Sequence, residues 1–168
     1  MPVISFILKA LVLILAQVVI FNNIVLLNVA VPFVFIYIIM AMPVTWSTNA
    51  SVAAGFLTGL AIDICSDTPG VNALACTVLA FARKPIFHLY VQRDEDLTGL
   101  PPSVRTLGVP VFMKYALTMT LAYCIMVFTI DAFAIFSFLR MVSQIVCSTA
   151  FTFVIIYALD AIFSSKRK

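Results

Sequence analysis

Fifty-three consecutive residues, 10 to 62, separate Lys9 from Asp63 without a single formal charge. Further uncharged runs of 15, 16 and 19 residues follow at 68–82, 115–130 and 141–159. A helix of about 20 mainly apolar residues crosses a bilayer, and inside lipid every backbone N–H and C=O must be satisfied within the protein. Charge-free stretches of this length call for a lipid surround. Composition agrees: 64% of the 168 residues are apolar and only 10% are charged, with a mean hydropathy of +1.17. An ordinary soluble domain has roughly 45–50% and about 25%. A chain of this size cannot hide so much apolar surface from water. A soluble enzyme, a nucleic-acid binder and a disordered tail are excluded. A membrane β-barrel needs repeated segments of about ten residues that alternate polar and apolar, and none is found. The expected fold class is all-α integral membrane.

Six transmembrane helices are expected, at about 4–21, 24–42, 50–65, 71–89, 110–130 and 134–163. The first has Lys9 and an apolar run but no small-x-small cleavage site over 17–23, so it reads as a span rather than a signal peptide. Asn28 and Pro32 interrupt the second, which leaves a broken or re-entrant path open for it. Orientation follows from the basic residues. Arg83, Lys84, Arg93 and Arg105 fall between spans four and five, Lys166, Arg167 and Lys168 form the tail, and Lys9 lies near the start. These eight share one side, whereas the opposite loops near 22–24, 66–70 and 131–133 contain no Lys or Arg. Lys114 and Arg140 sit near helix ends and can snorkel. The chain is thus expected to be a single multi-pass domain, 1–168, with both termini and the loop at about 83–110 in the cytoplasm. A net charge of +3 then marks topology, with attraction of the basic tail to anionic membrane lipid as a second role.

Small and polar residues concentrate in the third span. Ser51, Gly55 and Gly59 recur every four positions and form one helical stripe, and Asp63 continues it by one more turn. Without a hydrophobic push between helices in lipid, small residues act by letting backbones approach closely. The stripe therefore packs either on a neighbouring helix of this chain or on a partner's transmembrane helix. A carboxylate at a membrane boundary needs a partner or water, which makes Asp63 a candidate functional group. Ser66, Asp67 and Thr68 can cap the following helix, and Pro69 with Gly70 makes the turn. His88 reads as a surface histidine, and Cys65, Cys76, Cys124 and Cys147 form no C-x-x-C pair and read as small hydrophobes. Asp131, Arg140 and Gln144 fall at the outer end of spans five and six, where they are expected to pair with each other or with lipid head groups rather than to build a site. No catalytic, cofactor or metal set is expected.

The run from Gly55 to Leu74, with Gly55, Gly59, Asp63, Ser66, Pro69 and Gly70 at its marked positions, resembles the central region of the MreD family. These are the rod shape-determining membrane proteins of bacteria. Chain length, the Asn22-Asn23 break and the short basic tail are similar too, while Asn72 stands where that family often has His. The resemblance implies a non-enzymatic scaffold in the inner membrane, binding MreC. It would link MreB filaments to peptidoglycan synthesis by RodA and a class B penicillin-binding protein, and so to cell shape. It also implies a fold resembling the substrate-binding S component of energy-coupling-factor transporters. A vitamin-binding S component is the alternative function, and it would need a polar, aromatic-lined pocket open to the outside. The short outer loops, and Trp46 on the inner side, weigh against that alternative. Self-association and the face that meets MreC are left open.

Overall fold

The computed structural model describes residues 3–20, 31–68, 70–91, 101–132 and 138–165. Helices in chain order are α1 (Val3–Val19), α2 (Ile36–Met40), α3 (Thr48–Ser66), α4 (Val71–Tyr90), α5 (Val104–Leu107), α6 (Val109–Ala132) and α7 (Phe138–Ser165). Among the described residues there is no strand. Among those residues, three helices are long and apolar enough to cross a membrane: Thr48–Ser66, Val109–Ile130 and Met141–Ile162. Phe6–Val19 is a shorter apolar helix.

The described bundle exposes large apolar side chains and buries a set of polar ones within an apolar core. Ile7, Leu8, Leu11 and Leu15 on α1 and Val146, Val154 and Ile162 on α7 are exposed. Gln17, Ser51, Asp63, Asn72, Arg83, Ser148, Thr152 and Asp160 are buried. Such an arrangement is unfavourable in water and suits a hydrocarbon surround. The most extensive helix pairing joins α3 to α4, and α6 packs on both α7 and α4.

The second expected span is not a continuous helix in its described part. Residues 31–35 are irregular, and α2 has only 5 residues, all buried. Pro32 removes a donor and restricts the residue before it, and the surrounding side chains satisfy the freed backbone. The Gln17 amide donates to the Pro32 carbonyl at 2.9 Å and accepts from the Val34 N–H at 2.8 Å. The Val31 and Phe33 N–H groups donate to Ser148 Oγ and Thr152 Oγ1, each at 3.0 Å. Non-helical backbone is tolerated at membrane depth only when protein buries and pairs it. On α7 the partners belong to a stripe, Ser148, Thr152, Ile156 and Asp160, that is fully buried along its length.

The loop expected at 83–110 is shorter at both ends. α4 continues through Pro85 to Tyr90, and α5 and α6 begin at Val104 and Val109. Arg83 is therefore a buried helix residue and not a loop charge. It leaves the basic count that argues for orientation, while Lys84 and Arg105 stay in it. Arg93, the basic tail Lys166–Arg167–Lys168, Asn22, Asn23, Asn28 and Pro69 lie outside the described residues. So do the side chains of Asp131 and Arg140.

Candidate functional site

Sequence spacing places Ser51, Gly55, Gly59 and Asp63 on one face of α3, and all four are buried. That face meets α4. A Cβ on Gly55 would lie 2.7 Å from Ala80 Cβ and 2.8 Å from the Cys76 carbonyl oxygen. One on Gly59 would lie 2.6 Å from Ala73 Cα and 2.7 Å from Ala73 N, and it would press on the Asn72 carbonyl oxygen. The helices touch backbone to backbone here, and only hydrogen fits between them.

This close approach delivers the Asp63 side chain to the first turn of α4. Oδ1 accepts from the Asn72 N–H at 3.1 Å, from Asn72 Nδ2 at 2.9 Å and from the Thr68 hydroxyl. Oδ2 accepts from the Ala73 N–H at 2.7 Å. A helix begins with unsatisfied N–H groups and a partial positive charge, and a carboxylate answers both. Gly70, the N-cap of α4, has no side chain to supply that acceptor. The acceptor comes from the preceding helix, and Asp67 is the C-cap of α3. Asp67 closes α3 in the left-handed conformation at φ 53°, which Asp tolerates. The Thr68 N–H returns to the Asp63 carbonyl at 3.1 Å. Asp63 thus binds two helix ends, its backbone closing α3 and its side chain opening α4. Gly70 stands at φ 80° with open space where a Cβ would be, so backbone conformation rather than room selects glycine there.

Asn72 extends the network into the bundle. Its amide donates to Asp63 and, at 3.3 Å, to Thr68 Oγ1, while its carbonyl oxygen accepts from the Tyr123 hydroxyl on α6. Every polar atom of the Asn72 side chain is engaged, an arrangement that needs an amide and no ionisable group. Tyr123 packs edge-on against Phe33 and Phe35 at 5.1 Å and 5.6 Å between ring centroids. One chain of contacts therefore ties α3, α4, α6 and the irregular segment 31–35.

Beside this network lies a partly open cleft of about 570 Å³. Its lining includes Phe33, Ile62, Val71 and Phe128, with Cys65, Ser66, Asp67, Thr68 and Asn72 along one side. The short loops did not suggest such a space, to whose lining the unwound segment contributes Val31, Phe33 and Phe35.

The other end holds two buried charged groups that spacing rules missed. Arg83 donates to the carbonyls of Met42 and Pro43, to the latter at 3.1 Å, and to Ser51 Oγ at 3.4 Å. It caps the chain where α2 ends, with no carboxylate partner among the described residues. Asp160 accepts from the Tyr37 hydroxyl and from the Val104 N–H, each at 2.9 Å. This fastens the return of the chain at α5 to α2 and α7. A signal for Asp160 existed, since it stands in an apolar run at the same four-residue spacing as Ser148 and Thr152.

The remaining candidates stay apart. All four cysteines are free, Cys76 and Cys124 buried and Cys65 and Cys147 exposed. His88 is exposed and meets Phe87 edge-on at 6.1 Å. Gln144 is half-buried on α7. Trp46 packs against Phe6 at 5.1 Å. No metal-holding cluster of His, Cys, Asp or Glu occurs among the described residues. Together these features define an all-helical protein with membrane-type helices and a polar lock at the α3–α4 junction. No family description, curated protein or solved structure matches the chain.

Proposed function

We propose that the chain is a multi-pass membrane scaffold of the MreD type, acting by binding MreC. In that role it connects MreB filaments with RodA, a class B penicillin-binding protein and peptidoglycan synthesis. The observation that carries this reading is the lock itself. The residues on which the resemblance rests are committed to one another and to helix ends: Gly55 and Gly59 admit α4, and Asp63 takes four donors from Thr68, Asn72 and Ala73. Polar groups so engaged build a rigid platform. Recovery of MreC with the tagged chain from native membranes, together with rescue of rod shape in cells lacking their own protein, tests this reading. A chain that restores neither defeats it.

A six-span topology with both termini cytoplasmic belongs to the same proposal. Hydrogen bonds from Val31, Phe33 and Tyr37 to Ser148, Thr152 and Asp160 support a full traverse by the broken second segment. Basic residues still favour one side without Arg83. Reporter fusions after Lys168 and within 94–99 are expected to be active only as cytoplasmic reporters, and extracytoplasmic activity at either point overturns the assignment.

The cleft favours a second reading, the substrate-binding S component. Purification with an ATPase module and a bound small molecule, in place of MreC, would select it.

A further inference from the structure

We infer that the cleft beside the α3–α4 turn is a binding site for an organic cation with an apolar, aromatic body. The inference stands on the cleft and goes beyond the scaffold reading, since it holds whether or not MreC is recruited. A volume of about 570 Å³ falls within the roughly 300–1,000 Å³ of small-molecule sites. Phe33 and Phe128, 6.1 Å apart between ring centroids, present aromatic surface, and Ile62 and Val71 add aliphatic walls.

Charge selects the ligand class. Asp67 is the one formally charged residue among the described lining residues, and no Lys, Arg or His is among them. Asp67 is exposed, and its carboxylate takes no hydrogen bond or ion pair among the described residues. It differs in this from Asp63, whose oxygens are fully engaged a few residues away. A phosphate or carboxylate ligand would meet repulsion from Asp67, with no cationic side chain among the described lining residues to offset it. A cation gains from Asp67, and the walls supplied by Phe33 and Phe128 suit an apolar, aromatic body. The polar amides of Gln17 and Asn72, also in the lining, are held by the protein, so the wall is preorganised.

Cys65 lines the cleft and is exposed, so its alkylation reads occupancy directly. In a Cys147→Ser chain in nanodiscs, Cys65 is the remaining exposed thiol. Tetraphenylphosphonium and tetraphenylborate match in size and shape and differ in charge. The phosphonium is expected to slow N-ethylmaleimide reaction at Cys65 about five-fold at about four times its dissociation constant, because only the empty fraction reacts. The borate is expected to leave the rate unchanged, and Asp67→Asn, which keeps the left-handed turn accessible, is expected to abolish protection. Equal protection by both ions, protection that survives Asp67→Asn, or no protection by the phosphonium each overturns the proposal. The comparison of the two ions on the otherwise unaltered chain decides the matter even if the Asp67 variant does not fold.

Discussion

Asp63→Leu is expected to prevent recovery of folded protein, and Asp63→Asn is expected to be severe rather than mild. Leucine strands the Asn72 and Ala73 N–H groups in the α3–α4 interface and removes the acceptor shared by the Asn72 amide and the Thr68 hydroxyl. Each buried donor left without an acceptor costs about 1–3 kcal/mol, so two backbone donors alone threaten a fold whose total stability is of order 5–15 kcal/mol. Shape conservation suggests that asparagine would be tolerated, but the hydrogen-bond pattern reverses that expectation. Asp63 receives donors on both oxygens and gives none. Asparagine can turn its oxygen toward the three donors at Oδ1, but its amino group then faces the Ala73 N–H across a 2.7 Å contact. The opposite rotamer sets the amino group against three donors. Thermal unfolding in detergent, followed by size-exclusion recovery, is the measurement. A large loss of melting temperature for Asn and no monodisperse peak for Leu are expected. An Asn variant that melts with the parent protein would show that Asp63 does not act as an acceptor-only lock.

Sequence legibility divided along physical lines. Helices driven by long apolar runs were readable: α3, α4, α6 and α7 lie close to the expected 50–65, 71–89, 110–130 and 134–163. The four-residue spacing of Ser51, Gly55, Gly59 and Asp63 was readable as a face, because period and residue size are local properties. What that face meets was not, since a small-residue stripe fits a helix of the same chain or of a partner, and backbone distances choose α4. Asn28 and Pro32 announced a break in the second segment without saying what satisfies it. The answer lies at Ser148 and Thr152, more than a hundred residues away. Arg83 was misplaced by a rule that treats cations as loop markers. That rule gives no weight to a guanidinium capping the carbonyls of a broken helix inside the bundle. Capping of α4 was misassigned for a related reason. Ser66, Asp67 and Thr68 are the nearest polar residues in sequence, but Asp63 is nearest in space once two glycines bring the helices together.

Gly59→Ala is expected to destabilise the bundle more than Gly55→Ala does, and only the second is expected to be rescued by a change on α4. Both substitutions add one methyl group. At Gly59 it would strike Ala73 Cα and N at 2.6 Å and 2.7 Å and the Asn72 carbonyl oxygen, all of them backbone atoms. No side-chain change on α4 removes those atoms, so the helices must separate. Separation also draws Asp63 from the Ala73 N–H and weakens the lock one turn away. Overpacking alone costs about 1–3 kcal/mol, and the weakened hydrogen bonds add to it. At Gly55 one of the two tight contacts is Ala80 Cβ, so Ala80→Gly removes it and leaves the Cys76 carbonyl oxygen at 2.8 Å. Partial recovery of melting temperature is therefore expected for Gly55→Ala with Ala80→Gly, and none for Gly59→Ala with the same change. Phe56 is 46% exposed and turned off the Gly55–Gly59 contact, and Phe56→Ala is expected to shift the melting temperature least of all. Equal sensitivity at positions 55, 56 and 59 would mean that the stripe does not face α4 in the membrane. Rescue of Gly59→Ala by Ala80→Gly would mean that the helices there are held by side chains rather than by backbone contact.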